Sequence, residues 1–416
     1  MDPRPASASS GEINTWRLLR TQPKFAWFVA GLTPGALVIG TIGVTRTVLA
    51  TDIFGDESGV ASTAIASGLA GALAGVLVGA LIDRGSARKI LLASMALLAI
   101  NQVALTIVYG AGQLTATWLI ALTVADGLFV GVQATALVTT QAGLVTATAR
   151  GAAEITNALR VGVGAAIGAW LATALLTPGS ALVVASVLTA LVTFITVWTT
   201  RGFTPGHRVG GAGFRAVVDI LRIPGPVRSA VLVNALLSLV LPTQLVNFFL
   251  VDKALGNLLG PATVAGLVGV LAARLHLAAT GLRGSPVRRV RLSYAVFAIS
   301  VVASLLALVV ESEVVVTATF IPLILVGSWS STLAFGLVTA TVQQRLPDAV
   351  RGRFTGGLNA LLSLIAVAGV VVAGLIITPL STEVFLAVLT AALVAVAAIS
   401  RGFAGLGARV DGGASP

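Results

Sequence analysis

The chain has 416 residues, of which 56% are hydrophobic and only 10% are charged, and its mean hydropathy is +1.01. A soluble chain of this length needs far more charge to cover its surface, so the composition predicts an integral membrane protein. The net charge of +11 lies in short loops between apolar runs, which indicates membrane orientation rather than a nucleic-acid partner. The lack of cysteine excludes disulfides, and with only His207 and His276 we expect no metal site.

Apolar runs of about 20 residues, enough to cross roughly 30 Å of hydrocarbon, recur along the chain. Twelve spans are predicted, at 25–50, 59–82, 90–109, 116–140, 152–176, 181–200, 229–251, 261–280, 292–310, 314–342, 354–378 and 384–400. The polar segments are 1–24, 201–228 and 401–416, and the first of them lacks the features of a secretory leader. The sequence therefore predicts an all-α membrane protein with two six-helix bundles, 25–200 and 229–400, joined by the linker 201–228.

The loops alternate in charge along this predicted topology. Loops after even-numbered spans carry arginines, whereas loops after odd-numbered spans carry acidic residues, with Lys253 as their only base. Because cytoplasmic loops are rich in basic residues, we expect both chain termini to be cytoplasmic. Arginine far outnumbers lysine, and Ala, Gly and Val dominate, which is typical of a GC-rich bacterial genome. The expected location is therefore a bacterial cytoplasmic membrane.

The segment between the second and third spans contains a sequence motif of one glycine, one aspartate and three basic residues. The segment 79–89 reads GALIDRGSARK, and the residues that carry the pattern are Gly79, Asp83, Arg84, Arg88 and Lys89. Glycine permits close helix approach, the aspartate can pair with a base across the interface between the bundles, and the bases can anchor the loop at the anionic cytoplasmic face. A merely basic loop would explain the arginines but not the glycine and aspartate in register.

This segment resembles the signature G-x-L-x-D-R-x-x-x-R-[KR] of the major facilitator superfamily. A related basic loop begins at Arg283, about 200 residues later, and Arg150-Gly151 is matched by Arg351-Gly352 at a similar offset. The resemblance implies two six-helix pseudo-repeats and transport by alternating access. The segment 351–353 is also similar to the subgroup of drug, macrolide and siderophore exporters.

The sequence departs from proton-antiporting members at two positions. With Gly131 as the motif glycine, the arginine expected in the fourth span is replaced by Gly127. In the fifth span Gly164 and Gly168 keep the expected spacing, but Ala169 stands where a proline is expected. Proton coupling and antiport therefore stay open.

Charged side chains inside the spans are the first functional candidates, because each costs about 2.5–3.5 kcal/mol at the bilayer centre. The candidates for ion coupling or ion pairing are Asp126, Arg160, His276, Arg274 and Arg46. Asp126 and Arg160 are predicted at similar depths, about 15 and 12 Å from opposite helix ends, which predicts either a proton-exchanging or a permanent ion pair. Arg46 is expected to snorkel to the outer surface. His276 is either a proton switch or a hydrogen-bonded structural histidine.

The resemblance implies a central cavity lined by the first, fourth, seventh and tenth spans, and each of these carries polar residues in stripes. The cavity candidates are Pro34, Thr41, Thr45, Gln133, Asn234, Ser238, Gln244, Asn247, Ser328, Trp329, Ser331 and Thr332. Each polar side chain alone could instead make an interhelical hydrogen bond. With few charges in such a cavity, we expect an uncharged, weakly polar or amphipathic substrate.

The resulting prediction is a secondary active transporter that exports a small lipophilic or amphipathic compound, such as a drug, antibiotic, secondary metabolite or siderophore. Three alternatives stay open: an importer of a neutral nutrient, a lysophospholipid mover, and a non-transporting membrane receptor or scaffold. No hydrolase elbow, phosphate-binding loop or metal-ligand cluster appears, so we expect neither an enzyme nor a cofactor. The expected partners are the lipid bilayer, a small-molecule substrate and, as a candidate coupling ion, the proton, with the chain acting as a monomer.

Overall fold

The computed structural model describes residues 15–55, 57–84, 86–146, 149–201, 259–281, 286–309, 313–345, 358, 360–369 and 371. Every extended element in these ranges is a helix. They are α1 (Thr15–Thr21), α2 (Pro23–Phe54), α3 (Glu57–Arg84), α4 (Ala87–Gly110), α5 (Ala116–Leu144), α6 (Arg150–Ala174), α7 (Pro178–Thr199), α8 (Leu259–Thr280), α9 (Pro286–Val309), α10 (Glu313–Arg345) and α11 (Ala360–Gly369).

The helices follow the predicted spans. Helices α2 to α7 coincide with the first six spans, and α8 to α11 coincide with the eighth to the eleventh. Within the described ranges, six segments are long and apolar enough to cross a membrane: Pro23–Phe54, Ala87–Gly110, Ala116–Gln141, Arg150–Ala172, Pro178–Thr199 and Ala318–Ala340. The seventh and twelfth spans lie outside the described residues, as do nearly all of the linker 201–228 and the tail 401–416, so the total of twelve stays a prediction.

Short polar signals mark the ends of these apolar helices. At the start of α7, Thr177 and Ser180 form a reciprocal capping box, and Pro178 occupies the first turn, where its missing N–H costs nothing. Helix α2 ends at Phe54 and is capped by Gly55, which adopts φ 74° and donates its N–H to Thr51 O. That left-handed conformation satisfies a terminal carbonyl and is open to glycine at little cost.

Helices α2 to α7 form one bundle, which we call the N-half. Its closest crossing is that of α2 with α6, where Gly40 faces the Ala165 carbonyl and Gly168 faces the Leu37 carbonyl. A Cβ at either glycine would overlap the facing backbone. Thr41 Oγ1 donates to Gly168 O across the same crossing, at 3.1 Å. Small residues thus bring two backbones into contact, as is typical of helix pairs in lipid.

Helices α8 to α11 belong to the second bundle, which we call the C-half, and α8 and α9 both pack on α10. The halves meet where α6 packs on α8 and α10, and where Gly68 of α3 faces Val367 of α11. Gly162 of α6 lies against Arg274 of α8, since a Cβ on that glycine would come 3.0 Å from Arg274 Cγ. Glycines of the N-half therefore let side chains of the C-half pack directly against the backbones of α3 and α6.

Helix α1 was not predicted from the sequence, since seven residues are too few for a periodic pattern. Leu18 is completely buried in a cluster with Phe25, Ala149, Ala152 and neighbouring residues, whereas Trp16 is 53% exposed. Helix α1 contacts α2 and α6 of the N-half and also α8 of the C-half. Only Gln22 separates α1 from α2, so α1 is covalently part of the N-half and also packs against the C-half.

Candidate functional site

A buried ion pair joins α2 to α5. Arg46 Nη1 donates to Asp126 Oδ2 at 2.6 Å, and Gln102 Nε2 of α4 donates to Asp126 Oδ1 at 2.6 Å. Arg46, Asp126 and Gln102 are only 9, 8 and 1% exposed. Both carboxylate oxygens are therefore bonded, and three helices of the N-half converge on one charge. We call these three residues the polar cluster.

Two expectations from the sequence are wrong here. Asp126 pairs with Arg46 and not with Arg160, and Arg46 does not snorkel to the surface because its side chain is buried. The depth estimates failed because the helices are longer than the minimum span. Arg160 reaches the α2 backbone at Leu32, and Leu32 lies 14 residues before Arg46, about 21 Å along the helix.

Arg160 has a different environment. Its Nη1 donates to Leu32 O, while its Nε and Nη2 donate to Asn157 Oδ1 at 3.2 and 2.9 Å. All three guanidinium nitrogens are therefore bonded, to a backbone carbonyl and a neutral amide. Arg160 fastens α6 to α2 and has no carboxylate partner among these contacts.

The polar cluster contains buried atoms that make no hydrogen bond in the structure. They are Nε and Nη2 of Arg46 and Oε1 of Gln102. A few residues away, Asn101 Nδ2 donates to Leu122 O at 2.9 Å and ties α4 to α5. The consecutive amides Asn101 and Gln102 inside an apolar span were a visible signal in the sequence that the prediction did not use.

Two ionisable residues from opposite halves lie near each other at the interface between the halves. Glu154 of α6 and Arg274 of α8 interact electrostatically. Arg274 lies between two glycines from opposite halves, Gly162 of α6 and Gly336 of α10. The sequence identified Arg274 as a candidate for ion pairing but not this neighbour, which comes from the other bundle.

His276 lies one turn from the end of α8, and its ring meets Trp329 of α10 edge to face, with centroids 5.7 Å apart. Its side chain is exposed. Trp329 is one of the cavity candidates, and its ring is in contact with this histidine. Whether His276 acts as a switch stays a prediction.

The predicted cavity residues fall into three groups. Thr41 and Thr45 are 1 and 3% exposed, and their hydroxyls donate to Gly168 O and Thr41 O, so they pack helices rather than line an opening. The half-buried or buried candidates of α2, α5 and α10 keep their role as proposals: Pro34, Gln133, Ser328, Trp329, Ser331 and Thr332. Four candidates lie outside the described residues: Asn234, Ser238, Gln244 and Asn247.

The signature segment is partly described. Gly79, Asp83 and Arg84 lie in the last turns of α3, and Lys89 is exposed near the start of α4. Arg88 Nε donates to Thr200 Oγ1 at 3.0 Å, and its Nη2 lies 3.5 Å from Val197 O. Arg88 therefore binds the end of α7, where a cation is favoured by the exposed carbonyls, rather than only the membrane surface.

The departure at Gly127 has a packing explanation. A Cβ at Gly127 would overlap the Ser67 carbonyl of α3, and Gly131 faces Gly71 in the same crossing. An arginine at residue 127 would force α3 and α5 apart. The buried cation of this region comes from α2 instead, as Arg46.

The fold is thus that of a multi-pass membrane transporter with two bundles in contact. The sequence profile of the Major Facilitator Superfamily matches residues 27–370, and the chain belongs to this family. No curated protein sequence matches the chain.

Solved structures with this fold include transporters of varied cargo. The human organic anion transporter MFSD10 (TETRAN) superposes with a TM-score of 0.72 at 15% identity, over 92% of this chain and 99% of that one. A bacterial homologue of the iron transporter ferroportin, in an outward-facing state, gives 0.70 at 15% identity, over 93 and 100%. The E. coli fucose:proton symporter FucP gives 0.64 at 12% identity, over 90 and 98%. These likenesses show the fold.

Proposed function

We propose that this protein is a secondary active transporter that exports a small lipophilic or amphipathic compound across a bacterial cytoplasmic membrane by alternating access. The proposal rests on the family membership together with one observation. In the part of the chain that the structure describes, Arg46 and Arg160 are bonded inside the N-half, and Arg274 interacts electrostatically with a residue of the other half. Such a bundle exposes few fixed charges, which suits a cargo with a large apolar surface.

The interface between the halves supports alternating access. Glu154 of α6 and Arg274 of α8 interact electrostatically across this interface, and the glycines beside Arg274 let the helices approach closely. This contact holds the halves together at one end. Opening that end separates the two charges, so the pair favours the conformation in which that end is closed.

The cargo of the similar structures does not select a substrate for this chain. Their titles name an organic anion transporter, a homologue of an iron transporter and a sugar:proton symporter, three chemically different cargo classes. The exporter direction is proposed from the similarity of segment 351–353 to the drug, macrolide and siderophore exporters.

We propose Asp126 as the residue through which a proton gradient could drive this transport. It is the acid of the polar cluster, and both of its oxygens accept hydrogen bonds, from Arg46 and Gln102. Protonating it would remove the counter-charge of Arg46 and alter the contact between α2 and α5. This role is separate from the export activity and needs its own measurement.

The test is transport in proteoliposomes made with the full chain. A panel of lipophilic drugs, neutral sugars and lysophospholipids is offered with and without an imposed pH gradient. Movement of lipophilic compounds supports export, sugar uptake would support the importer, and lysophospholipid movement would support the lipid mover. Absence of movement for the whole panel would contradict a transporter and favour a receptor or scaffold.

Two variants test the proton step. We expect Asp126→Asn to remove the response of transport to the gradient, whereas Asp52→Asn, at an exposed position near the end of α2, should keep it. A gradient response that persists in Asp126→Asn would show that another group couples the ion.

A further inference from the structure

The guanidinium of Arg46 is bonded on one side only. Its Nη1 is bonded to Asp126, while Nε and Nη2 make no hydrogen bond although the residue is more than nine-tenths buried. In an arginine the Nε–H and Nη2–H lie side by side and point in parallel, which forms the fork that binds two oxygens of one planar acid. The intact fork of Arg46 is therefore turned away from its counter-ion.

The neighbouring residues do not fill this fork. Gln102 is the neutral partner in the polar cluster, yet its Oε1 also makes no hydrogen bond and its amide nitrogen is bonded to Asp126. A buried guanidinium edge without acceptors is unfavourable, because each N–H loses its water and gains no partner. The edge therefore presents two parallel N–H donors that have no acceptor in the structure.

We infer that the free edge of Arg46 is a binding site for the carboxylate of an amphipathic monoacid. This inference rests on the proposed transport function and narrows its substrate to compounds with one acidic group. The sequence predicted an uncharged substrate because few charges were expected in the cavity. The unbonded Nε and Nη2 of Arg46 instead offer two donors to an anionic group.

The charge of the polar cluster limits which acid binds. Arg46 and Asp126 sum to zero, so a bound monoanion gives the site a net charge of −1 and a dianion gives −2. Repulsion between like charges is strong where water is excluded, so a monocarboxylate is favoured over a phosphate ester or a dicarboxylate. The same repulsion couples the ligand to Asp126, because removing the charge of Asp126 strengthens binding of the acid.

The inference is tested by binding to the full-length protein in detergent micelles at fixed ionic strength. The probes are acetate, benzoate and 2-naphthoate, each beside its uncharged amide, and the Kd is measured by calorimetry together with the shift in melting temperature. We expect the carboxylates to bind about tenfold or more tightly than the amides, with 2-naphthoate the tightest.

Substitutions identify the edge that binds. Arg46→Lys keeps the charge and loses the fork, so the Kd for 2-naphthoate should rise about tenfold. Asp126→Asn removes the repelling charge, so the same Kd should fall about tenfold. Arg160→Lys is the matched control, since that arginine is fully bonded in the same half and its substitution should leave the Kd unchanged.

Three results would overturn the inference. They are equal binding of acids and amides, an unchanged Kd in Arg46→Lys, and no binding of any carboxylate, in which case the edge holds ordered water only. If Arg46→Lys does not fold, an unchanged or higher Kd in Asp126→Asn overturns it instead. Export of uncharged lipophilic compounds without carboxylate binding would reject this site and leave the proposed transport intact, whereas absent transport would reject the proposed function.

Discussion

Arg46 and Arg160 are two deep arginines of the same half with opposite bonding. Arg160 is bonded through all three nitrogens to a backbone carbonyl and an amide, so α6 is fixed to α2. Arg46 binds a carboxylate with one nitrogen and leaves an edge free, at a place where α2, α4 and α5 meet. We therefore interpret Arg160 as a link between two helices and propose Arg46 as a ligand-binding residue, because only Arg46 has unbonded N–H donors.

The difference is also one of electrostatics. Arg46 and Asp126 neutralise each other, whereas the charge of Arg160 is stabilised by dipoles alone. Loss of one partner of a buried pair leaves an uncompensated charge, while loss of a charge held by dipoles leaves neutral groups. The four predictions below use this contrast, in order of decreasing effect.

The largest effect is expected for Arg46→Ala. It leaves Asp126 buried and unpaired, which should lower the free energy of unfolding by about 3–5 kcal/mol. The measurement is unfolding in mixed micelles, followed by circular dichroism. The double variant Arg46→Ala/Asp126→Ala should recover most of the loss, and a double variant as unstable as the single one would contradict the charge argument.

A smaller loss is expected for Arg160→Gln. It removes charge-assisted hydrogen bonds to Leu32 O and Asn157, worth about 1.5–3 kcal/mol, without leaving an opposite charge behind. The same unfolding assay measures it, with Lys89→Gln as the exposed control, expected to change stability by less than about 0.5 kcal/mol. A loss equal to that of Arg46→Ala would erase the distinction between the two arginines.

The third prediction concerns the crossing of α2 with α6, which positions Arg160 against the α2 backbone but does not include the polar cluster. A Cβ at Gly40 would overlap the Ala165 carbonyl, so Gly40→Ala should cost about 1–3 kcal/mol. Gly43→Ala is the matched control three residues along α2, where a Cβ meets nothing within 4 Å. Unfolding of both variants tests this prediction, and equal stability would show that the crossing adapts.

The smallest effect concerns a single hydroxyl in the same crossing. Thr41→Val removes a bond from α2 to Gly168 O and should cost about 0.6 kcal/mol. In Thr45→Val the lost bond ends on the carbonyl of the same helix, so the cost should be smaller. The two variants differ in whether the acceptor of the lost hydrogen bond belongs to another helix. A larger loss of stability in Thr45→Val than in Thr41→Val would contradict the packing role of Thr41.

The sequence predicted the order and approximate positions of helices α2 to α11, because each must cover the hydrocarbon thickness and apolar runs report this directly, although several helices are longer than predicted. It did not predict which charges pair. The depth estimates assumed helices of the minimum length, and the direction of a side chain around the helix axis depends on how neighbouring helices cross. The sequence identified all three intramembrane charges, Arg46, Asp126 and Arg160. It assigned the wrong partner to Asp126 because neither the true helix lengths nor the side-chain directions were known.

Helix α1 was not predicted from the sequence, for a different reason. Its seven residues carry one buried leucine, and their stability comes from Phe25, Ala149 and Ala152 rather than from a pattern of their own. Glu154 and Arg274 were likewise visible as single residues, but their relation arises from contact between two bundles that are far apart in sequence. Such contacts follow from tertiary packing, which local sequence does not encode.

Helix α1 is connected to α2 through Gln22 and also contacts α8 of the C-half. In the proposed alternating-access cycle, it is therefore a contact between the halves that lies outside the predicted membrane spans. We expect that shortening the chain before Gln22 removes this contact and shifts the equilibrium between the two conformations, without altering a transmembrane residue.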